Sequence, residues 1–279
     1  MESLTHSRFQ IHNSRLRIPP YHWWRTVFFL IPAITVYTVV LGAASIVSSL
    51  WDRRGYFAHR CARGWSFLIL KTTGVRVTVE GLERVTPGTT YVFVSNHQSI
   101  YDTPVLFWSL PFQLRIIAKE SLAKFPVLGW HLRRGRHLFV DRRHPDRSGI
   151  LARWRSLISE GLSLLIFAEG TRSPDGHTAR FKGGSFLLAI EAGLPVVPIA
   201  VIGTRQVMPK SRLRTEPADV LLIVHDPIPA PAIERPTARD AKRFADRVHA
   251  IVAHTVESRQ FGTSHPLPSA SNPHPAPST

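Results

Sequence analysis

His97 and Asp102 stand five residues apart in the stretch YVFVSNHQSIYD, residues 91–102, and their types suit proton transfer. An imidazole can take a proton from a hydroxyl at neutral pH. A carboxylate bonded to its other ring nitrogen fixes the tautomer and stabilises the imidazolium that forms. On a continuous helix this spacing would set the two side chains roughly 140° apart, so they meet only if the chain turns between them. Asn96-His97-Gln98-Ser99 allows such a turn. The chain holds 14 histidines, so one chance match to this spacing is expected. A loop histidine beside a helix-capping aspartate fits the pair as well as a catalytic couple does.

The elements around the pair place it. Tyr91-Val-Phe-Val is apolar, β-branched and aromatic, and reads as a buried strand. Asp102-Thr103-Pro104 is a helix start, with the carboxylate capping and proline tolerated in the first turn. His97 therefore belongs at a strand's carboxyl end, where open α/β sheets bind their ligands. Further strands are read at 75–80, which alternates, at 114–118 before Lys119, and at 135–142. Three more fall at 163–167, 196–202 and 220–224. The strand at 163–167 empties into Ala168-Glu169-Gly170-Thr171-Arg172-Ser173. Helical spacing falls at 102–110, at 146–161 (Ile150, Leu151, Trp154, Leu157, Ile158), at 185–191 and at 237–260. Strands alternating with helices predict an α/β fold, a central, mostly parallel sheet flanked by helices.

The 279 residues suit one large domain with an appendage, and the single cysteine, Cys61, excludes an intrachain disulfide and fits a reducing compartment. A formal charge of +16 points to an anionic partner: nucleic acid, an anionic membrane or a phosphorylated substrate. Residues 1–25 are basic, and Trp23 and Trp24 precede a run at 26–50 without one charged side chain. That run is long enough to span or enter a bilayer, with tryptophan at its interface; Pro32 and Gly42 are expected to kink or loosen it. A second, interfacial helix is expected at 56–73. Basic residues flank both sides of 26–50, so the reading is a membrane-associated helical hairpin dipping into one leaflet from the cytoplasmic face. The expected organisation is a basic segment 1–25, the helical region 26–73, an α/β domain 74–260 and a disordered Pro/Ser-rich tail 261–279.

Four polar stretches at strand exits or loops, 96–102, 135–142, 167–173 and 197–200, fall in an order and spacing that resembles the 1-acylglycerol-3-phosphate acyltransferases, a glycerolipid acyltransferase family. That family's blocks are Asn-His-x4-Asp, Gly-x-x-Phe-x-x-Arg, Phe-Pro-Glu-Gly-Thr-Arg-Ser and Val-Pro-Ile/Val. The resemblance covers about residues 74–228. It implies that His97 is the general base on a lysophospholipid hydroxyl, that Asp102 orients it, and that the acyl thioester is attacked directly, without an acyl-enzyme. Ser99 lies two residues from His97 but no G-x-S-x-G elbow surrounds it.

The same resemblance assigns substrate binding to Asn96, Gly135, Arg142, Glu169, Gly170, Thr171 and Arg172. Arg142 would fork onto the substrate phosphate. Lys119 would assist the oxyanion or the phosphate, and Lys182-Gly183-Gly184 adds basic and glycine-rich positions. Val197-Pro198-Ile199-Ala200 either shapes the acyl surface or is simply core. Ala168 stands where the family has proline, which removes no functional group. The implied donor is acyl-CoA or acyl carrier protein, with no cofactor and no metal; the histidines lack ligand spacing. Implied partners are a lysophospholipid and membrane lipids at the cytoplasmic face of the cell membrane. Other acceptors, glycerol-3-phosphate or another lyso-lipid, stay open, as does a non-catalytic lipid-binding protein. A nucleic-acid binder would leave the apolar run 26–50 without a purpose.

Overall fold

The computed structural model describes residues 20–140, 147–210 and 212–262. Helices α1 (Tyr21–Arg25) and α2 (Ile31–Ser48) join through a π-helical turn, Thr26–Leu30, into one rod, Tyr21–Ser48. Pro32 opens α2. It lacks an N–H and its ring presses on the carbonyl four residues back, and a widened turn just before it relieves both. Gly42 does not loosen the rod either: a Cβ there would collide with Val127, so the glycine is a notch for a packed side chain.

Helix α3 (Tyr56–Thr73) folds back antiparallel after a turn through Gly55, at φ 71°. Trp65 Nε1 donates to Thr38 Oγ1 at 2.9 Å, and the Arg25 guanidinium donates to the carbonyls of Thr72 and Thr73 at 3.2 and 2.9 Å. The expected hairpin is therefore present, but Arg25 is not part of a loose basic segment. It caps the last carbonyls of α3, where a cation also suits the helix dipole. Residues 21–25 of the expected basic segment are the first turn of the rod, and Phe261, expected to open the tail 261–279, ends the last helix; residues 1–19 and 263–279 lie outside the described residues.

The remaining elements are β1 (Arg76–Glu80), β2 (Val92–Ser95), α4 (Asp102–Ser109), β3 (Leu114–Lys119), α5 (Leu128–Arg134), β4 (Leu138–Val140), α6 (Arg147–Ser159), β5 (Ser163–Phe167), α7 (Gly184–Glu191), β6 (Val196–Ile202), α8 (Thr204–Val207), β7 (Asp219–Val224) and α9 (Ala238–Phe261). The strands form one sheet in the order β1-β7-β6-β2-β5-β3-β4. Every neighbouring pair is parallel except β6 and β7, so five strands run one way and the β7–β1 pair the other. This is the mostly parallel, helix-flanked sheet that the alternating elements predict.

Side-chain alternation splits the core. Val92 and Val94 of β2 face Trp154, Phe186, Phe244 and Val248, under α6, α7 and α9. Phe93 faces the other way, into a cluster with Leu106, Leu165, Val197, Ile69 and Leu70. Ile69 and Leu70 belong to α3. The hairpin is thus one cover of the sheet, and each such buried Leu or Ile adds about 1.5–3 kcal/mol.

Candidate active site

The central strand β2 ends at Ser95, beside the carboxyl ends of β5 and β6. Asn96 is fully buried; its Nδ2 donates to Val201 O and its Oδ1 accepts from Val201 N, both at 2.8 Å. The side-chain amide imitates one more ladder pair between β2 and β6. Asn96 therefore ties the histidine loop to β6 from a fully buried position.

Beyond that tie the chain turns, and His97 Nδ1 comes 2.7 Å from Asp102 Oδ2. The same Oδ2 accepts the backbone N–H groups of Gln98 at 2.7 Å and Ser99 at 2.9 Å. Thr204, the residue after Gly203 at the exit of β6, donates its hydroxyl to Oδ1. Tyr101, not Asp102, is the N-cap of α4, so the carboxylate turns back onto the histidine loop instead of capping its own helix. Asp102 is wholly buried while the His97 side chain is 18 % exposed. The imidazole stacks on Phe167 with ring centroids 4.1 Å apart. A carboxylate on Nδ1 directs that N–H inward and leaves Nε2 as a proton acceptor at the surface.

Glu169 follows β5 and is also buried. Its Oε1 accepts the His97 backbone N–H at 2.7 Å and its Oε2 that of Ala179 at 3.1 Å. Burial raises its pKa to about 7, against the pull of those two N–H groups. Each oxygen accepts one N–H behind the histidine, so Glu169 holds the loop. Ser173 N also donates to His97 O, at 2.7 Å, which seats the 169–173 turn on the histidine.

Gly170 has φ 74°, and the Lys182 side chain crosses it, its Nζ 2.8 Å from where a Cβ would stand. The close approach the glycine permits is to this lysine. Thr171 is exposed; Lys210 Nζ reaches its Oγ1 at 3.5 Å and the Arg172 carbonyl at 3.0 Å. The Arg172 side chain is half-buried and has no partner among the described residues. Thr171, Arg172, Lys182 and Lys210 thus form a cationic rim on this turn, fit for a phosphate.

Other expected positions lie further off. Lys119 ends β3, exposed at the same carboxyl end of the sheet but two strands from β2, roughly 10 Å by strand spacing. Gly135 caps α5 before β4 begins, packed on His131 and His137 at the opposite end of the sheet from the site. It is a turn residue, set behind His131 and His137. Arg142 lies outside the described residues. Among those described, no group of three His, Cys, Asp or Glu side chains could hold a metal ion.

Several contributors were not singled out from the sequence. Thr204 had a signal, a Gly-Thr pair leaving a strand next to β2. Gln98 Nε2 donates to Gly176 O and to Gln260 Oε1, both at 2.8 Å, and no sequence pattern marks that tie. Nor does any mark the apolar cavity of about 280 Å³ between α2, α3, α4 and α5, whose wall includes Thr38, Trp65, Ile100, Thr103 and Phe107.

Residues 76–202 match the family model described as Acyltransferase. A chloroplastic 1-acyl-sn-glycerol-3-phosphate acyltransferase of Brassica napus is 37 % identical over 183 residues, 64 % of this chain and 53 % of the relative. The chain thus spans about half the length of several curated plant relatives. The 1-acyl-sn-glycerol-3-phosphate acyltransferase of Pseudomonas aeruginosa is 33 % identical over 202 residues, 70 % of this chain and 76 % of that protein. The crystal structure of the 1-acyl-sn-glycerophosphate (LPA) acyltransferase PlsC from Thermotoga maritima superposes with a TM-score of 0.70 at 26 % identity, covering 84 % of this chain and 94 % of the other. Sheet order, the His97–Asp102 pair and these matches converge: the chain belongs to the acyltransferase family.

Proposed function

We propose that the protein transfers a fatty acyl group from a thioester donor, acyl-CoA or acyl carrier protein, to the sn-2 hydroxyl of 1-acyl-glycerol-3-phosphate, giving phosphatidic acid. The observation that carries this reading is the 2.7 Å contact of His97 Nδ1 with buried Asp102, which leaves Nε2 at the rim of the sheet. Nε2 takes the hydroxyl proton as the oxygen attacks the thioester carbonyl carbon. The tetrahedral intermediate collapses, the C–S bond breaks, and the thiolate leaves with the proton returned by the imidazolium. Asp102 steadies the transient positive charge throughout.

Several features support the substrate class. Arg172, Lys182, Lys210 and Thr171 offer donors for the acceptor's phosphate. The 280 Å³ cavity begins beside Asp102, at Ile100 and Thr103, and has room for roughly nine methylene-sized groups of an acyl chain. Relatives named for 1-acyl-sn-glycerol-3-phosphate favour this acceptor over glycerol-3-phosphate or another lyso-lipid. The outer stripe of α2, with Val36, Val39, Val40 and Val47 exposed, suits a helix lying in lipid, where the acceptor resides. We place this face on the cytoplasmic leaflet of the cell membrane, where a water-borne donor meets it.

The test is transfer from labelled acyl-CoA or acyl carrier protein to lysophosphatidic acid, glycerol-3-phosphate and lyso-lipids lacking a terminal phosphate. Wild type should acylate lysophosphatidic acid, and His97→Ala should lose about 10²–10⁴-fold in kcat while still folding and associating with membranes. Transfer by wild type to a different acceptor alone would overturn the substrate. A fully active His97→Ala would overturn the mechanism.

A further inference from the structure

Beside α2 the surface carries aromatic and basic side chains that acyl transfer does not use. The short 3₁₀ turn Glu120–Lys124 leads into α5, which runs against α2. Val127 fills the notch at Gly42, and His131 Nδ1 meets Ser45 Oγ at 2.6 Å. With those positions turned inward, their neighbours turn outward: Phe125 is 57 % exposed and Trp130 56 %. Lys124, Arg133 and Arg134 are exposed alongside. None of the three has an acidic partner among the described residues, and the Arg133 guanidinium lies 5.9 Å from the Phe139 ring centroid. Arg133, Arg136 and Arg153 together line a cleft of about 680 Å³.

We propose that residues 120–134 form a second membrane contact, in which Phe125 and Trp130 enter the headgroup region of an anionic bilayer and Lys124, Arg133 and Arg134 meet lipid phosphates. Two large aromatics left in water are unfavourable unless something covers them. Aromatic side chains flanked by cations are the composition that suits the bilayer interface. Charge complementarity selects an anionic surface. α5 packs on the Gly42 and Ser45 flank of α2, to one side of the stripe Val36, Val40 and Val47, so a bilayer that takes in the helix meets the patch at headgroup depth. An acidic protein would answer the charges, but beside a helix lying in lipid the bilayer is the anionic surface at hand. A lone hairpin can roll and tilt in a leaflet; a second contact to one side of it removes that freedom.

The proposal rests on α2 lying in lipid and not on the reaction chemistry, and its test reads no catalysis. The full chain carrying Trp130→Cys and Cys61→Ser, labelled at residue 130 with an environment-sensitive fluorophore, is reconstituted into phosphatidylcholine vesicles with or without phosphatidylglycerol. Headgroup-level nitroxide lipids should quench the label in the anionic vesicles, and soluble iodide should not. Adding Arg133→Gln and Arg134→Gln should lower the docked-to-undocked ratio about 25-fold, about five-fold per charge. A label open to iodide in both vesicle types would overturn the contact. So would a label shielded by acyl carrier protein but untouched by lipid nitroxides, and quenching unaltered by loss of the two arginines would overturn the anionic-lipid assignment.

Discussion

Glu169 makes the stability of this fold depend on pH in a direction opposite to that of most carboxylates. Its side chain is buried, and its pKa lies at about 7 against an ordinary 4.5. The folded protein therefore holds this proton more tightly than the unfolded chain does. At about 1.4 kcal/mol per unit, that gap corresponds to about 3 kcal/mol. The contribution is complete below pH 4.5, fades as pH rises from 4.5 to 7, and is gone above 7. Glu169→Gln keeps an oxygen for the His97 N–H and has nothing to titrate. Its amide meets the Ala179 N–H less well, but that offset does not vary with pH. The assay is denaturant unfolding of wild type and Glu169→Gln in detergent at a series of pH values. The difference, wild type minus variant, should fall by about 3 kcal/mol between pH 4.5 and 7, or roughly 6–12 °C in Tm for a domain of this size. A flat difference, or one that rises with pH, would refute the argument that burial outweighs the two N–H bonds.

Two further substitutions probe the support of Asp102 and the packing of the hairpin. Thr204→Val leaves Asp102 Oδ1 buried without its donor, so it should cost about 1.5–3 kcal/mol of stability and lower kcat, while Thr204→Ser restores both; melting and initial rates check this. Gly42→Ala should destabilise by about 1–3 kcal/mol through the collision with Val127, and Val127→Ala should relieve most of it in a double-mutant cycle.

What the sequence made legible follows from local physics. The apolar run 91–94 breaking into polar residues marked a strand exit, and α/β sheets place their chemistry at such exits, so His97 could be located before any coordinates. The period-two and helical patterns located the strands and helices because each buries a face set by its own geometry. The direction in which a polar side chain turns is a tertiary matter. Asn96, Glu169 and Gly135 carry the right letters at the right spacing, and no letter tells that they also tie Val201, the histidine loop and the end of α5. Arg115 shows the same limit: it is buried within β3, its guanidinium bonded to the carbonyls of Arg54 and Gly55 and its pKa lowered to about 10 by burial. An arginine in a short strand gives no sign of that.

The tie between Gln98 and Gln260 has a consequence for the order in which the molecule is made. The apolar hairpin leaves the ribosome before the sheet does, and that segment can meet lipid while the strands are still being decoded. Edge strand β1 waits for β7, its register partner Asp219 lying 143 residues beyond Arg76. The histidine loop waits longer, because its amide brace comes from the last turn of α9, 162 residues after Gln98. At about 5–20 residues per second that is an interval of roughly ten to thirty seconds. Through it the histidine loop is not yet braced, and the site closes only when translation has passed residue 260.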